Sequence, residues 1–261
     1  MAYFMGNIRS KALCMDTQLH VILDDEKFVA RKNGKKPKTL ILLHGLSDNS
    51  AVWVRNTSLE RYVERYNLTV VMPEAQRSFY TNMAHGLNYE TYIAEELPAL
   101  CESMFHTSVA PGDLMIAGLS MGGFGALRTA LKYADRFRIC GAFSAATDTS
   151  ELVHFQAATN PISGNAADDM RCIYADTDDM PFDSDVNNLL REAAKNGNAP
   201  RFFVTCGTED FTYPWNRKLL ETAKQLPVDY HFEEWPGIHE WGFWDVSIDK
   251  FLRYFLDEKP A

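Results

Sequence analysis

Apolar and polar positions change their rhythm along this chain. Leu13, Met15, Thr17, Leu19, Val21 and Leu23 share one face of an extended segment with mostly polar residues between them, which predicts a half-buried antiparallel strand. From Thr39 onward the strand candidates become continuous apolar runs. Thr39–Leu43, Leu68–Met72, Leu114–Ala117 and Phe202–Cys206 read as strands buried on both faces, with Arg138–Ser144 a weaker run of the same kind and Val228–Glu233 a last strand. Helical spacing falls between them, around Leu59–Tyr66, Tyr89–Phe105, Phe124–Tyr133 and Trp215–Leu226, and a final helix runs to about Phe255. Strands alternating with helices predict an α/β fold: a mostly parallel central sheet, an antiparallel N-terminal strand and helices on both faces. The rhythm breaks between about Thr147 and Asn198, a stretch rich in acidic and small residues. It reads as an insertion between core elements, expected over the active site, within a single domain spanning residues 1–261.

Composition narrows the function classes. A 261-residue chain with 46% hydrophobic residues supplies an ample core, and its net charge of −9 disfavours non-specific nucleic-acid binding. The basic run Arg31–Lys38 carries Asn-Gly and Pro and reads as a solvated loop. No apolar stretch reaches membrane-spanning length, and the first residues lack the charged-then-apolar pattern of a secretory signal. Five scattered cysteines without C-x-x-C spacing read as free thiols in a reducing compartment, hence a cytoplasmic expectation. The sequence leaves a homo-oligomer open. The acidic stretch Asp168–Asp185 lacks the pattern of a calcium loop, so no metal is expected.

The chemistry begins at Gly118-Leu119-Ser120-Met121-Gly122-Gly123. Strand, G-x-S-x-G, helix is the context of a nucleophile elbow, where a sharp turn exposes a serine above a helix N-terminus. A serine hydroxyl needs a base, and in this architecture the acid and then the histidine follow the serine in loops after strands. Of the seven histidines, His239 stands in the Pro-Gly loop after the last strand and before the last helix, whereas His231 lies within a strand and His154 in the insertion. Asp210, just beyond Phe202–Cys206, is the preferred acid, with Glu209 its local competitor. Backbone N–H groups of Met121 and Leu46 are the expected oxyanion donors, Leu46 because it follows His44-Gly45 in an early post-strand loop, with His44 bracing that loop. Trp53, Phe79, Tyr80, Tyr213, Trp215 and Trp241 are candidates for an apolar substrate pocket, although aromatics in such positions serve equally as core.

With those residues placed, the chain resembles the esterase family of α/β-hydrolases that includes tributyrin esterases, S-formylglutathione hydrolases and many acetyl- and feruloyl-esterases. The likeness runs through His44-Gly45 and Trp53, Val71-Met72-Pro73, Phe79-Tyr80-Thr81, Glu95-Glu96-Leu97-Pro98, Gly118–Gly123, Gly207-x-x-Asp210 and Gly237-x-His239-x-Trp241. The resemblance implies the α/β-hydrolase fold, Ser120 as nucleophile, Asp210 as acid, His239 as base, small acyl substrates and no cofactor. Phe79 departs from it, since tryptophan is expected before Tyr80, and this bears on the substrate pocket.

The leading expectation is a serine carboxylesterase that hydrolyses short-chain acyl esters through an acyl-enzyme, with acetyl or feruloyl esters of carbohydrates among the candidates. Thioester hydrolysis of the S-formylglutathione type uses the same triad and is the alternative. A non-catalytic binding protein of this fold would typically lack a triad member, and all three candidates are present here. Nucleotide binding is disfavoured, because Gly123-Phe124-Gly125 continues to Arg128 where a phosphate loop needs glycine.

Overall fold

A computed structural model describes residues 1–24, 36–152, 166–175, 181 and 183–257. The basic run up to residue 35, and residues 153–165, 176–180 and 182 of the predicted insertion, lie outside the described residues.

The apolar runs form one eight-stranded sheet. In chain order its strands are β1 (Ala2–Ser10), β2 (Met15–Leu23), β3 (Lys38–Leu43), β4 (Leu68–Pro73), β5 (Leu114–Leu119), β6 (Ile139–Phe143), β7 (Arg201–Gly207) and β8 (Tyr230–Trp235). They lie in the order β1-β2-β4-β3-β5-β6-β7-β8. Pairing is parallel from β4 across to β8 and antiparallel at β1–β2 and β2–β4. The N-terminal antiparallel element is therefore a hairpin and not the one strand that the alternation suggested. Residues 2–7 gave no strand signal because β1 is an edge strand, exposed over most of its length. Leu13 lies, buried, in the turn of that hairpin. His20 and Ile22 of β2 are buried as well as Leu19 and Val21, because this strand sits inside the sheet against β4 and has protein on both faces.

Alternation along the inner strands divides the core in two. Ile41 and Leu43 of β3 face one side, with Phe124, Leu127 and Ile93. Leu40 and Leu42 face the other, with Trp53, Val63, Phe251 and Leu252. The second side is covered by α1 (Val52–Asn56), α2 (Leu59–Val63) and the C-terminal helix α9 (Trp241–Leu256). The first carries α3 (Tyr89–Thr91), α4 (Leu97–Phe105), α5 (Met121–Lys132), α7 (Val186–Lys195) and α8 (Tyr213–Ala223), with α6 (Ala166–Tyr174) before α7 in the chain. The segment expected to be one helix over Tyr89–Phe105 is interrupted by a π-helical turn at Tyr92–Glu96. Pro98 accounts for it: proline has no N–H for Ala94 O and its ring crowds that carbonyl, so the turn before it widens.

The stretch between Thr147 and Asn198 holds α6 and α7 and, among the described residues, no strand. Asp185 caps α7 by accepting the N–H groups of Asn187 and Asn188. The end of α6 is tied to the loop after β4: Ile173 O and Cys172 O accept the N–H groups of Ala84 and His85, and Arg77 forks onto Asp169.

Candidate active site

β5 ends at Leu119, α5 begins at Met121, and Ser120 joins them at φ 52, ψ −116. A non-glycine residue in that region costs on the order of 1–3 kcal/mol, so its surroundings must hold it. They do so through hydrogen bonds: Ser120 N–H donates to Phe143 O at 2.9 Å, and Ser120 O accepts from Phe124 N–H and Ala146 N–H. The turn is possible because its flanks carry no side chain. A Cβ on Gly122 would stand 2.5 Å from Leu43 O, and one on Gly118 would stand 2.5 Å from the Gly122 carbonyl carbon.

The acid loop and the histidine loop are joined before they reach the serine. Glu209 N–H donates to Gly237 O at 3.1 Å, and Gly237 N–H donates to Glu209 Oε2 at 2.6 Å. Glu209, the competitor for the acid position, thus clamps the two loops together. Beyond the clamp, His239 Nε2 lies 3.0 Å from Ser120 Oγ, and His239 Nδ1 lies 3.0 and 2.9 Å from the two oxygens of Asp210. A carboxylate has no proton to give, so Nδ1–H donates and Nε2 is left to accept from the serine. The Asp210 carboxylate has no solvent exposure and also accepts the Thr212 N–H and hydroxyl, each at 2.8 Å. Burial acts to raise its pKa, but His239, Thr212 N–H and the Ser144 hydroxyl outweigh it and hold the carboxyl below its ordinary value. The imidazole is held between Phe211 and Trp244, whose ring centroids lie 4.5 and 4.8 Å away, and Trp244 is itself fixed by its indole N–H on Ser144 Oγ.

Met121 opens α5, where the first N–H groups have no helical acceptor. Met121 and Leu46 line the same cavity as Ser120 and His239. The loop carrying Leu46 is braced from behind: His44 Nδ1–H donates to Gly45 O at 2.8 Å while Nε2 accepts Ala75 N–H at 3.0 Å. Tyr80 OH donates to His44 O, and the Trp53 indole donates to Leu43 O.

These contacts place the aromatic candidates. Phe79 lines the cavity at Ser120, and Trp241 lines a neighbouring one. Trp53 and Tyr80 are fully buried and hold the Leu46 loop instead of meeting solvent. Tyr213 lies at the start of α8 with its hydroxyl on Glu234, and Trp215 packs edge-on against Phe211; neither lines the cavity at Ser120. Phe211, Leu152 and Ala146 do line it, and were not singled out in the sequence. Position beside Asp210 was the one available signal for Phe211.

The sheet order, the elbow and the post-strand loops define an α/β-hydrolase. Residues 10–255 match the family model described as "Putative esterase", so the chain belongs to that family and is a carboxylic ester hydrolase. It is 31% identical to an acetyl esterase of Caldicellulosiruptor saccharolyticus over 258 residues, 95% of this chain and 96% of the relative. Among solved structures it is similar to FphF, a fluorophosphonate-binding serine hydrolase of Staphylococcus aureus, with a TM-score of 0.88 and 32% identity over 98% of this chain and 99% of that one. The S-formylglutathione hydrolase FrmB of the same organism matches at a TM-score of 0.82 and 32% identity, again over 98% and 99%.

Proposed function

We propose that the protein is a serine carboxylesterase that cleaves short-chain acyl esters, acetyl esters foremost, through an acyl-enzyme on Ser120. The observation that carries the reading is the chain of contacts from Asp210 through His239 to Ser120, each at 2.9–3.0 Å. Ser120 Oγ attacks the ester carbonyl while His239 Nε2 takes its proton. Asp210 holds the imidazole in the required tautomer and stabilises the imidazolium. The carbonyl oxygen, now negative, is met by the N–H groups of Met121 and Leu46. The C–O bond to the alcohol then breaks, His239 protonates the departing oxygen, and water repeats the sequence to release the acid.

The small acyl preference is supported by the cavity at Ser120, about 150 Å³ in volume and walled by Phe79, Leu152 and Phe211. Similarity to the acetyl esterase points the same way. Similarity to an S-formylglutathione hydrolase supports thioester hydrolysis as the second reading. A reducing, cytoplasmic location fits five cysteines that are all free thiols, and no helix among the described residues is long and apolar enough to cross a membrane.

Hydrolysis of p-nitrophenyl acetate by wild type and Ser120→Ala tests the reading. The variant is expected to keep its far-UV spectrum and Tm and to lose several orders of magnitude in kcat, since loss of a triad member leaves only about 10³–10⁴-fold catalysis over water. Near-normal turnover by folded Ser120→Ala contradicts the proposal.

A further inference from the structure

Ser120 and His239 lie between two cavities of different character. The first, already described, is apolar and about 150 Å³. The second, about 340 Å³, shares Leu46, Ser47, Ser120 and His239 with it and adds Asp48, Glu240, Trp241 and Trp244. An ester at Ser120 has to be divided between them. The acyl carbon sits at Oγ, and the alcohol oxygen must face His239 Nε2, from which it receives its proton. Glu240 and Trp241 follow His239 directly in the chain, so the second cavity is walled by the segment that delivers that proton.

On the esterase reading above, we propose that this second cavity receives the alcohol half of the ester and selects alcohols that carry a positive charge, the amino-alcohol class.

Its walls supply the chemistry such a group needs. Two carboxylates and two indoles line it, and no lysine or arginine does. Among the described residues neither Asp48 nor Glu240 forms an ion pair with a lysine or arginine. Burial pushes the Asp48 carboxyl up, against the opposing effects of His44, the Gly45 N–H and His239. A carboxylate short of hydration in this way gains from a cation brought beside it. Indole faces add attraction of their own, tryptophan being the strongest aromatic partner for a cation. The indoles are also rigid. Trp241 packs edge-on against Trp53 at 5.4 Å and Trp244 at 5.2 Å, and the Trp244 N–H is fixed on Ser144. Little side-chain freedom is lost when a ligand docks on them. The net charge of −9 adds a long-range field of the same sign. By the same logic a leaving group with net negative charge, such as glutathione, is disfavoured here. The Asp48 carboxylate also accepts the Gly45 N–H of its own loop, so its test must separate charge from scaffolding.

Three acetyl esters of similar size make that separation: those of 2-(trimethylammonio)ethanol, of its uncharged isostere 3,3-dimethylbutanol, and of 2-hydroxyethanesulfonate. At low ionic strength the wild type is expected to show kcat/KM about tenfold higher for the cationic than for the neutral ester, with the anionic ester lowest. The cationic-to-neutral ratio should fall toward one in Glu240→Gln, in Asp48→Asn and at high salt. Each variant serves as its own reference through the neutral ester, so a general loss of activity does not imitate the effect. A wild-type ratio of one, or a ratio unchanged in both variants, overturns the proposal while leaving the esterase reading intact. Failure to hydrolyse even the neutral ester would contradict the esterase reading and this proposal with it.

Discussion

At the scale of single residues, the site depends on which carboxylate faces the imidazole. Asp210 and Glu209 are adjacent in sequence yet turn to different tasks, one onto His239 and the other onto the Gly237 N–H. Asp210→Asn is expected to lower kcat on p-nitrophenyl acetate by roughly 10⁴-fold, because an amide favours the wrong imidazole tautomer. Glu209→Gln should cost far less in kcat and show itself first as a lower Tm, since it loosens the clamp between the two loops. Reversed effects in the two variants would mean that the carboxylates have been assigned the wrong way round. Ser120, Asp210 and His239 could be picked out as candidates in the sequence because each follows a strand and lies within three residues of a glycine, features that survive without knowledge of packing. The aromatic pocket was not. Trp53 and Tyr80 carry the same sequence signal as Phe79 and Trp241, and only three-dimensional packing separates a residue that braces the Leu46 loop from one that faces a cavity.

At the scale of elements, continuous apolar runs identified the inner strands, because strands buried on both faces need no alternation. The edge hairpin and the π turn escaped for opposite reasons. β1 has little buried surface to betray it, and the widened turn keeps a helical spacing of apolar residues while changing its hydrogen bonds. The two are physically joined. Glu96, at the end of the π turn, accepts the Ser10 hydroxyl at 2.6 Å, Lys11 N–H at 2.7 Å and Ala12 N–H at 3.1 Å, and so pins the β1–β2 turn. Burial acts to raise the Glu96 pKa, but these three donors outweigh it and hold the carboxyl below its ordinary value. A carboxyl whose folded pKa is depressed contributes stability above its unfolded pKa and loses it as pH falls through the folded one. The Tm difference between wild type and Glu96→Gln should therefore be full near pH 7 and shrink as the pH drops below the ordinary glutamate range of about 4.3. A difference that stays constant from pH 7 to pH 3 would show that the charge of Glu96 contributes nothing.

At the scale of the whole molecule, parallel pairing brings the C-terminal ends of β5, β7 and β8 to one end of the sheet, where Leu152 helps line the cavity at Ser120. The break in the strand–helix rhythm marked the stretch that carries Leu152 in the sequence, but which of its residues meet the cavity did not show there, because that depends on contacts between segments distant in sequence. A cavity of about 150 Å³ cannot bury a long acyl chain, so the gain of about 0.8 kcal/mol per buried methylene should stop early. Across p-nitrophenyl esters, kcat/KM is expected to fall beyond roughly four to six acyl carbons; a steady rise to octanoyl and longer would show a deeper acyl channel. The role of Ser120 as nucleophile is tested by titrating the purified protein with a fluorophosphonate and mapping the adduct by peptide mass spectrometry. One phosphonyl group per chain is expected, on Ser120, with esterase activity falling in proportion and no adduct in Ser120→Ala. Labelling at another residue, or full labelling of Ser120 with activity retained, would contradict it.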